Sequence, residues 1–244
     1  MKIFLLIQGH TKYCDFLIDQ TANYDNVIWS TDETAPSDHL NKIKNSNIIL
    51  ETIPPISSGF GNINRQVATV MKGLRRVKEL GGTHCIKIRS DMYFSDLPKF
   101  INNMVDDGRI HQLAYVNHLQ AMRFPSEIPC IDRWIIDNNF NIKDISSYNY
   151  VLDFINYGPV DEMCLFWDYP FEETPLGVPA EMKFVYRYLM LKNLELDMSF
   201  KYLSKVFGFF LTSLRMLNID LHTLKHQYSY TTLGTGESEG GFLG

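Results

Sequence analysis

Residues 62–91 read NINRQVATVMKGLRRVKELGGTHCIKIRSD, a helix pattern followed directly by a strand pattern. Apolar residues recur every three or four positions from Ile63 to Leu80, which is the spacing of an amphipathic helix, and Gly81-Gly82 is typical of a helix end. Over residues 84–93, polar and apolar side chains alternate, which predicts a strand with its polar side chains on one face. A helix followed by a strand is part of the repeating unit of an α/β fold.

The chain before this stretch repeats the same alternation. Short apolar runs predict strands at residues 3–7, 26–29 and 48–53, and helical patterns lie between them near residues 13–20 and 37–44. Strands that alternate with helices predict an α/β fold of the doubly wound, Rossmann-like class, with a mainly parallel sheet flanked by helices. Ligands of this class bind beyond the carboxyl ends of the strands.

The chain after Asp96 follows a less regular pattern. We predict a helix near residues 97–106, a strand near 114–117, and helices at 181–194 and 200–217, so the C-terminal part is expected to be helical. The last residues, 231–244, are rich in glycine and are expected to form a flexible tail.

Composition and charge exclude several classes of protein. The 244 residues include 23 Lys and Arg against 28 Asp and Glu, a formal net charge of −5, so no overall positive field attracts nucleic acid. The four cysteines lack the spacing of zinc or redox motifs, and the apolar start of the chain reaches Gln8 too soon for a signal peptide. Lysines interrupt the apolar window at 200–217. We therefore expect a cytoplasmic protein with at most peripheral membrane contact through that window.

The end of the strand at 84–93 carries the triplet Arg89-Ser90-Asp91, with Lys87 two residues earlier. A carboxylate at a strand end, beside cationic and hydroxyl groups, is able to bind a divalent ion that neutralises a diphosphate leaving group. The alternative is that Lys87, Arg89 and Asp91 only form ion pairs at the edge of the sheet.

Arg65 and Gln66 fall in the first turn of the helix that precedes this strand. The first amides of a helix lack backbone acceptors, and the helix dipole makes that end positive. A cation there is unfavourable unless it meets an anion, so a phosphate group is the ligand that this position favours.

The residues 62–91 quoted above resemble the centre of the WavE-type lipopolysaccharide-synthesis proteins, a family regarded as glycosyltransferases with a GT-A-like fold. Gln8-Gly9 resembles the opening loop of that family, and Trp29-Ser30-Thr31 resembles the end of its second strand. The segment LNIDLHTLKHQY at residues 217–228 is similar to its closing segment. The resemblance is patchy over residues 97–179.

This resemblance implies a hexosyltransferase-type enzyme that uses manganese or magnesium. Such an enzyme transfers a sugar from a nucleotide-diphosphate donor to a glycan or lipid-linked acceptor, in the synthesis of surface polysaccharide, lipopolysaccharide or glycoprotein glycans. It also implies one domain over residues 1–244, with a nucleotide-sugar-binding half at 1–96 and an acceptor-binding half at 97–230.

The resemblance also suggests roles for individual residues. Arg89-Ser90-Asp91 stands where GT-A enzymes usually have Asp-X-Asp, so Asp91 becomes the expected metal ligand and Arg89 replaces the first aspartate. The residues expected to contact the nucleotide part of the donor are Gln8, Gly9, Thr11, Asp32, Arg65, Gln66, Lys87 and Arg89. In the closing segment, Lys225 is a candidate phosphate contact and His226 a candidate metal ligand, or both belong to a solvated helix end.

An inverting transfer needs a carboxylate base for the acceptor hydroxyl. Asp161, after Tyr157-Gly158-Pro159, is our candidate base, and Glu181 is a candidate contact to a sugar. For Asp161 the local pattern favours the alternative of a helix cap, followed by Glu162 as a first-turn acid, and Glu181 is likewise consistent with a first-turn acid and nothing more.

Two other functions share these features. A sugar nucleotidyltransferase has the same fold class and metal chemistry, but normally carries a Gly-rich loop with a basic residue after the first strand, where this chain has a single glycine. A non-catalytic nucleotide- or carbohydrate-binding module would use the same acidic residues only for ion pairs. A dinucleotide-binding dehydrogenase is disfavoured because no G-x-G-x-x-G follows the first strand.

Overall fold

The structure is a computed structural model that describes residues 1–59, 62–94, 101, 106–116, 149–171, 180–197, 200–210 and 216–218. The strands are β1 (Ile3–Gln8), β2 (Val27–Asp32), β3 (Ile49–Ile53), β4 (His84–Arg89), β5 (Met92–Phe94), β6 (His111–Val116), β7 (Asn149–Pro159), β8 (Gly208–Phe210) and β9 (Met216–Asn218). The helices are α1 (Cys14–Thr21), α2 (Ser37–Lys44), α3 (Ile63–Glu79), α4 (Val160–Trp167), α5 (Ala180–Leu191) and α6 (Phe200–Val206).

Seven of the described strands form one sheet in the order β3-β2-β1-β4-β7-β6-β8. Parallel pairing joins β1 to β2 and β4, β2 to β3, and β6 to β8, whereas β7 runs antiparallel to both of its neighbours. A second, two-stranded sheet pairs β5 with β9. The predicted mainly parallel sheet is therefore confirmed for the described part of the chain.

Helices cover both faces of the sheet because its central strands are apolar on both faces. Along β1, Phe4 and Leu6 join the core under α3, α4, α5 and α6, whereas Leu5 and Ile7 join the core that contains residues of α1 and α2. The alternation also decides which polar side chains share a face. Gln8 lies two residues after Leu6 in β1, and Asp32 lies four residues after Ile28 in β2. Because side chains alternate between the two faces of a strand, both Gln8 and Asp32 lie on the face that α3 covers.

Gly73 lets α3 pack closely against β1. A Cβ atom built at Gly73 would overlap Leu6 Cδ1, and Leu6 is completely buried. The helix therefore lies nearer to the sheet than a larger residue at this position would allow. This close contact fixes the axis of α3, whose first turn points to the carboxyl ends of the strands.

The prediction of one helix over 200–217 is wrong. Helix α6 ends at Val206, Gly208 starts β8 beside β6, and β9 follows at Met216. A short apolar run reads equally well as a buried helix or a buried strand, so its periodicity does not separate the two. Phe207 in this window is completely buried, which removes one of the side chains expected to contact a membrane. No helix in the described residues is both long enough and apolar enough to cross a bilayer.

Other predictions differ from the structure in smaller ways. The predicted strand at 84–93 is interrupted at Ser90 and Asp91, which separate β4 from β5. Strand β7 lies in the irregular middle of the sequence and was not predicted. The predicted helix near 97–106 falls mostly outside the described residues, and the predicted flexible tail at 231–244 falls wholly outside them.

We predict that Gly73→Ala destabilises the protein, although alanine favours a helix more than glycine does. The added methyl group has no space beside Leu6, and overpacking of this kind costs about 1–3 kcal/mol. The free energy of unfolding in urea measures the effect. Arg75→Ala, at an exposed position of the same helix, is the matched control, and a Gly73→Ala variant at least as stable as the wild type would contradict the predicted close packing.

Candidate functional site

The order of the strands creates a crevice between β1 and β4. After β1 the chain moves through α1 and β2 to β3, and it then returns through α3 to β4 on the other side of β1. The connections therefore leave the carboxyl ends of β1 and β4 in opposite directions. Such a switch in direction is where open α/β sheets bind their ligands.

A cleft of about 290 Å³ lies at this place. Four parts of the chain form it: the ends of β1 and β2, the first turns of α3, and the residues that follow β4. Its lining residues are Gln8, Gly9, His10, Thr31, Asp32, Asn62, Arg65, Gln66, Thr69, Arg89, Ser90 and Asp91.

The cleft brings together seven residues that the sequence predicted to contact a donor or metal. They are Gln8, Gly9, Asp32, Arg65, Gln66, Arg89 and Asp91. The sequence analysis assigned no role to four other lining residues, which are His10, Thr31, Asn62 and Thr69. The sequence could have identified Thr69 as a lining residue, because it lies four residues after Arg65 and therefore on the same face of α3.

Gly9 and Ser90 are in contact where β1 and β4 end. The Ser90 amide donates a hydrogen bond of 2.9 Å to the Gln8 carbonyl. Gly9 has a φ of 127°, a conformation that other residues rarely adopt, and a Cβ atom there would lie 2.6 Å from Ser90 Oγ. The site therefore needs glycine at this position for two reasons, its backbone angle and the space beside Ser90.

Arg89 and Asp91 form a two-point ion pair at the side of the cleft. Arg89 Nε donates to Asp91 Oδ1 at 2.9 Å, and Arg89 Nη2 donates to Asp91 Oδ2 at 2.7 Å. The ion pair considered from the sequence is thus present between these two residues.

The start of α3 faces the cleft with cationic and amide groups. Asn62 precedes the helix in the left-handed conformation, makes no side-chain cap, and is followed by a first turn without acidic residues. Arg65 is exposed, and it lies near enough to Asp32 to help lower the pKa of that carboxyl. An uncapped helix start beside a guanidinium group is an arrangement that favours an anionic ligand.

Asp32 lies at the end of β2 with its two oxygens in different environments. Oδ1 accepts hydrogen bonds from the Thr34 hydroxyl at 2.6 Å and from the Thr34 amide at 2.8 Å. The bond from the Thr34 hydroxyl is the largest cause of a lowered pKa, so Asp32 is ionised at neutral pH. Oδ2 is buried and has no hydrogen-bond partner in the part of the chain that the structure describes, and the same holds for Gln66 Oε1.

Two predicted donor contacts, Thr11 and Lys87, do not line the cleft. Thr11 is buried, and a hydrogen bond of 3.1 Å joins its hydroxyl to His39 Nδ1. Lys87 is completely buried, with its Nζ 4.8 Å from the centroid of the Trp167 ring. In this conformation neither side chain reaches a ligand in the cleft.

Asp161, the predicted base, lies at the opposite end of the sheet. Strand β7 pairs antiparallel with β4, so Pro159 lies beside His84 at the start of β4, whereas Asp91 follows the end of β4. The five steps from His84 to Arg89 span roughly 16 Å at about 3.3 Å per residue. Asp161 is exposed and pairs with Lys78 at 2.6 Å. Its assignment as the base for a reaction in this cleft is therefore incompatible with its position.

Glu162 instead joins two helices. It accepts hydrogen bonds from the Tyr188 hydroxyl at 2.6 Å and from Lys192 Nζ at 2.9 Å, so it ties α4 to the end of α5. Burial acts to raise the pKa of Glu162, but these two hydrogen bonds outweigh it and the pKa lies below its ordinary value. Asp161 and Glu162 thus fit the alternative of first-turn acids.

Three predicted residues have no described side chain. The backbone of Glu181 lies in the first turn of α5, which is where the sequence placed it. Lys225 and His226 lie outside the described residues. Their predicted contacts to a sugar, a phosphate or a metal stay predictions.

The described residues of the cleft do not fit a divalent metal ion. Both oxygens of Asp91 already accept hydrogen bonds from Arg89, and Oδ1 of Asp32 is held by Thr34, so Asp32 Oδ2 is the one carboxylate oxygen of the described cleft without a hydrogen bond. Nowhere in the described ranges do three or more His, Cys, Asp or Glu side chains form a group able to hold a metal. The cleft is instead lined by two carboxylates and two guanidinium groups, so its formal charge is balanced before a ligand enters.

The sequence matches no protein-family model and no curated protein. No family model therefore supports the resemblance to WavE-type proteins. Solved structures do resemble the chain at low identity. One is a provisionally assigned glucose-1-phosphate thymidylyltransferase from Bacillus anthracis, at 9% identity and a TM-score of 0.48, covering 99% of this chain and 100% of that one.

Two further structures are similar to this chain. HddC from Yersinia pseudotuberculosis is 12% identical with a TM-score of 0.44, over 90% of this chain and 94% of that one. A glycosyltransferase involved in glycosylation of the major capsid of PBCV-1 is 13% identical with a TM-score of 0.39, over 81% and 80%. At this level of identity and overlap, the likeness does not indicate which residues act or on what.

We predict that Gly9→Ala destabilises the protein and perturbs the cleft. A non-glycine residue at this φ is strained by about 1–3 kcal/mol, and the new methyl group displaces Ser90. Thermal unfolding measures the loss of stability. Gly81→Ala is a suitable control, since Gly81 also has a positive φ but no atom would lie within 4 Å of its Cβ. Equal losses in the two variants would show that the contact with Ser90 adds nothing.

We also predict that Asp161→Asn leaves ligand binding in the cleft unchanged. Asp161 lies beyond the opposite end of β4, and its only described partner at bonding distance is the exposed Lys78. Isothermal titration with any ligand of the cleft tests this, with Asp32→Asn as the comparison that should weaken binding. A Kd for Asp161→Asn that rises as far as that of Asp32→Asn would contradict the placement of Asp161.

Proposed function

We propose that this protein is an enzyme that uses a nucleotide-diphosphate sugar and transfers the sugar to a glycan or lipid-linked acceptor. The observation that carries the proposal is the cleft at the switch point of the sheet, where Arg65 and Arg89 lie beside the uncapped start of α3. Two guanidinium groups and a helix N-terminus together favour a ligand with several phosphate charges.

Two other side chains that line the cleft favour a nucleoside. Asp32 Oδ2 and Gln66 Oε1 are buried acceptors without a hydrogen-bond partner among the described residues, and Asp32 is held ionised. A buried acceptor without a donor is unfavourable, so a ligand that supplies hydroxyl or N–H groups gains free energy there. Ribose hydroxyls and the N–H groups of a base are such donors. The cleft thus combines acceptors for a nucleoside with donors for phosphates.

Sugar transfer breaks the bond between the anomeric carbon and the terminal phosphate oxygen, while the acceptor hydroxyl oxygen forms a bond to that carbon. Negative charge then develops on the diphosphate that leaves. Arg65 and Arg89 are placed to stabilise this charge, because preformed donors act most strongly where charge appears in the transition state. The acceptor hydroxyl also loses a proton, and we assign no residue of the cleft as the base that takes it.

The family resemblance implies that such a transfer depends on a metal ion, but the proposal does not include a metal ion. The arrangement around Asp91 does not favour a bound cation, so no step of the transfer is assigned to one.

A nucleotidyltransferase would bind a nucleoside triphosphate and a sugar phosphate and release diphosphate. The single glycine of the loop after β1 does not favour that reaction.

A thermal-shift screen tests the proposal. We expect one or more of the UDP-, GDP-, CMP- and dTDP-sugars to raise the melting temperature, because a ligand that binds only the folded state stabilises it. Loss of one charged hydrogen bond to phosphate costs about 1.5–3 kcal/mol, so Arg65→Gln should raise the Kd of that ligand about 10- to 150-fold. Arg75→Gln, an exposed arginine of the same helix outside the cleft, should have no effect.

Three other outcomes would change the proposal. Stabilisation by nucleoside triphosphates but by no nucleotide sugar would favour a nucleotidyltransferase. Binding of a nucleotide sugar without release of nucleotide in the presence of glycan acceptors would favour a binding module. No stabilisation by any nucleotide, or an equal effect of Arg65→Gln and Arg75→Gln, would contradict a nucleotide site in this cleft.

A further inference from the structure

We propose that the cleft binds the diphosphate of its ligand without a divalent cation, and that Arg89, held in place by Asp91, takes the position of the metal. Asp91 is then a positioning residue and not a metal ligand. The inference rests on the proposed function, since it concerns how the same site neutralises the same two phosphates. It departs from the metal dependence that the family resemblance implies.

The geometry of the ion pair carries the inference. Arg89 uses Nε and Nη2, and Asp91 uses both of its oxygens, so the guanidinium and carboxylate groups face each other edge to edge. The side chain of Asp91 is only 11% exposed, whereas that of Arg89 is 31% exposed at the wall of the cleft. Arg89 occupies the edge of the carboxylate where both oxygens could bind one ion together, and a metal ion at either oxygen would lie within a few ångströms of the guanidinium charge.

The charges around the Arg89–Asp91 pair also favour an anionic ligand over a metal ion. Two carboxylates and two guanidinium groups line the cleft, and the start of α3 adds partial positive charge. Apart from His10, the remaining lining side chains carry no charge. The two carboxylates offset the two guanidinium charges, so the partial positive charge at the start of α3 decides the sign of the net field at the cleft. The site therefore favours the anion over the metal.

A fixed guanidinium group is a suitable replacement for a metal ion at a diphosphate. It is planar, always charged, and able to bind phosphate oxygens through two parallel hydrogen bonds. The pair with Asp91 uses two of its five N–H groups and sets the direction of its plane. Its orientation is thus determined before the ligand arrives, which lowers the entropy cost of binding.

Isothermal titration with UDP, GDP, CDP and dTDP tests the inference on the wild-type protein. Each titration is run once with EDTA and once with Mn²⁺. We expect the nucleotide that binds to do so in EDTA, with a Kd within about threefold of its value in Mn²⁺. A titration of the protein with Mn²⁺ alone should show no binding. These measurements need no variant, so they do not depend on whether a variant folds.

Two variants separate the roles of the paired residues. In EDTA, Arg89→Gln should raise the Kd at least about tenfold, whereas Asp91→Asn, which keeps an oxygen acceptor for Arg89 and removes a negative charge, should raise it less than about threefold. A metal site predicts the reverse order, because Asp91→Asn would then remove the ligand of the cation. Thermal unfolding of both variants shows whether they fold, and Arg89→Lys provides a second variant that keeps the charge.

The outcomes distinguish this inference from the proposed function. Nucleotide binding that requires Mn²⁺ and is lost in Asp91→Asn would overturn the inference and leave the proposed function intact. Binding of no nucleotide in either buffer would overturn the proposed function, and the inference with it. Binding in EDTA that is weakened by Arg89→Gln but not by Asp91→Asn supports both.

Discussion

The site depends on the close approach of β1 and β4 at Gly9 and Ser90. Gln8 pairs with Arg89 in the parallel ladder, so the two strands end at the same level, and the Ser90 amide extends the ladder by one more hydrogen bond. Only glycine leaves room for this contact at position 9. Beyond this contact, the segments that follow β1 and β4 leave the sheet in different directions. The space between the diverging segments is the cleft, so its position follows from the pairing of two strands.

The charged side chains of the cleft lie next to groups of opposite charge or to hydrogen-bond donors. Arg89 pairs with Asp91, and Asp32 is held by Thr34 and lies near Arg65. Removing one partner of such a pair is costly where the other is left as an uncompensated buried charge. The pair between Arg89 and Asp91 fixes the direction in which the guanidinium group faces the cleft, and the two hydrogen bonds from Thr34 fix the carboxylate of Asp32.

The sequence predicted the first half of the fold well, and the reason is physical. The spacing of apolar residues in α3 and the apolar runs of β1, β2 and β3 are local signals, and the parallel order makes strand ends meet at one edge. The second half lacked such signals. The direction of β7 depends on pairing with distant strands, so the position of Asp161 could not be read from its neighbours in sequence. The Arg89–Asp91 pair was considered, but its two-point contact depends on side-chain geometry that the spacing of the two residues does not specify.

The antiparallel direction of β7 also determines where the chain leaves and re-enters the sheet. Val116, the last residue of β6, pairs with Asn149, the first residue of β7. Because β6 is parallel to β4, this pair lies toward the edge of the sheet that carries the cleft. Val116 and Asn149 therefore place both ends of the connecting segment toward the same edge of the sheet as Gln8 and Arg89, so the chain departs from the sheet and returns to it on the side of the cleft.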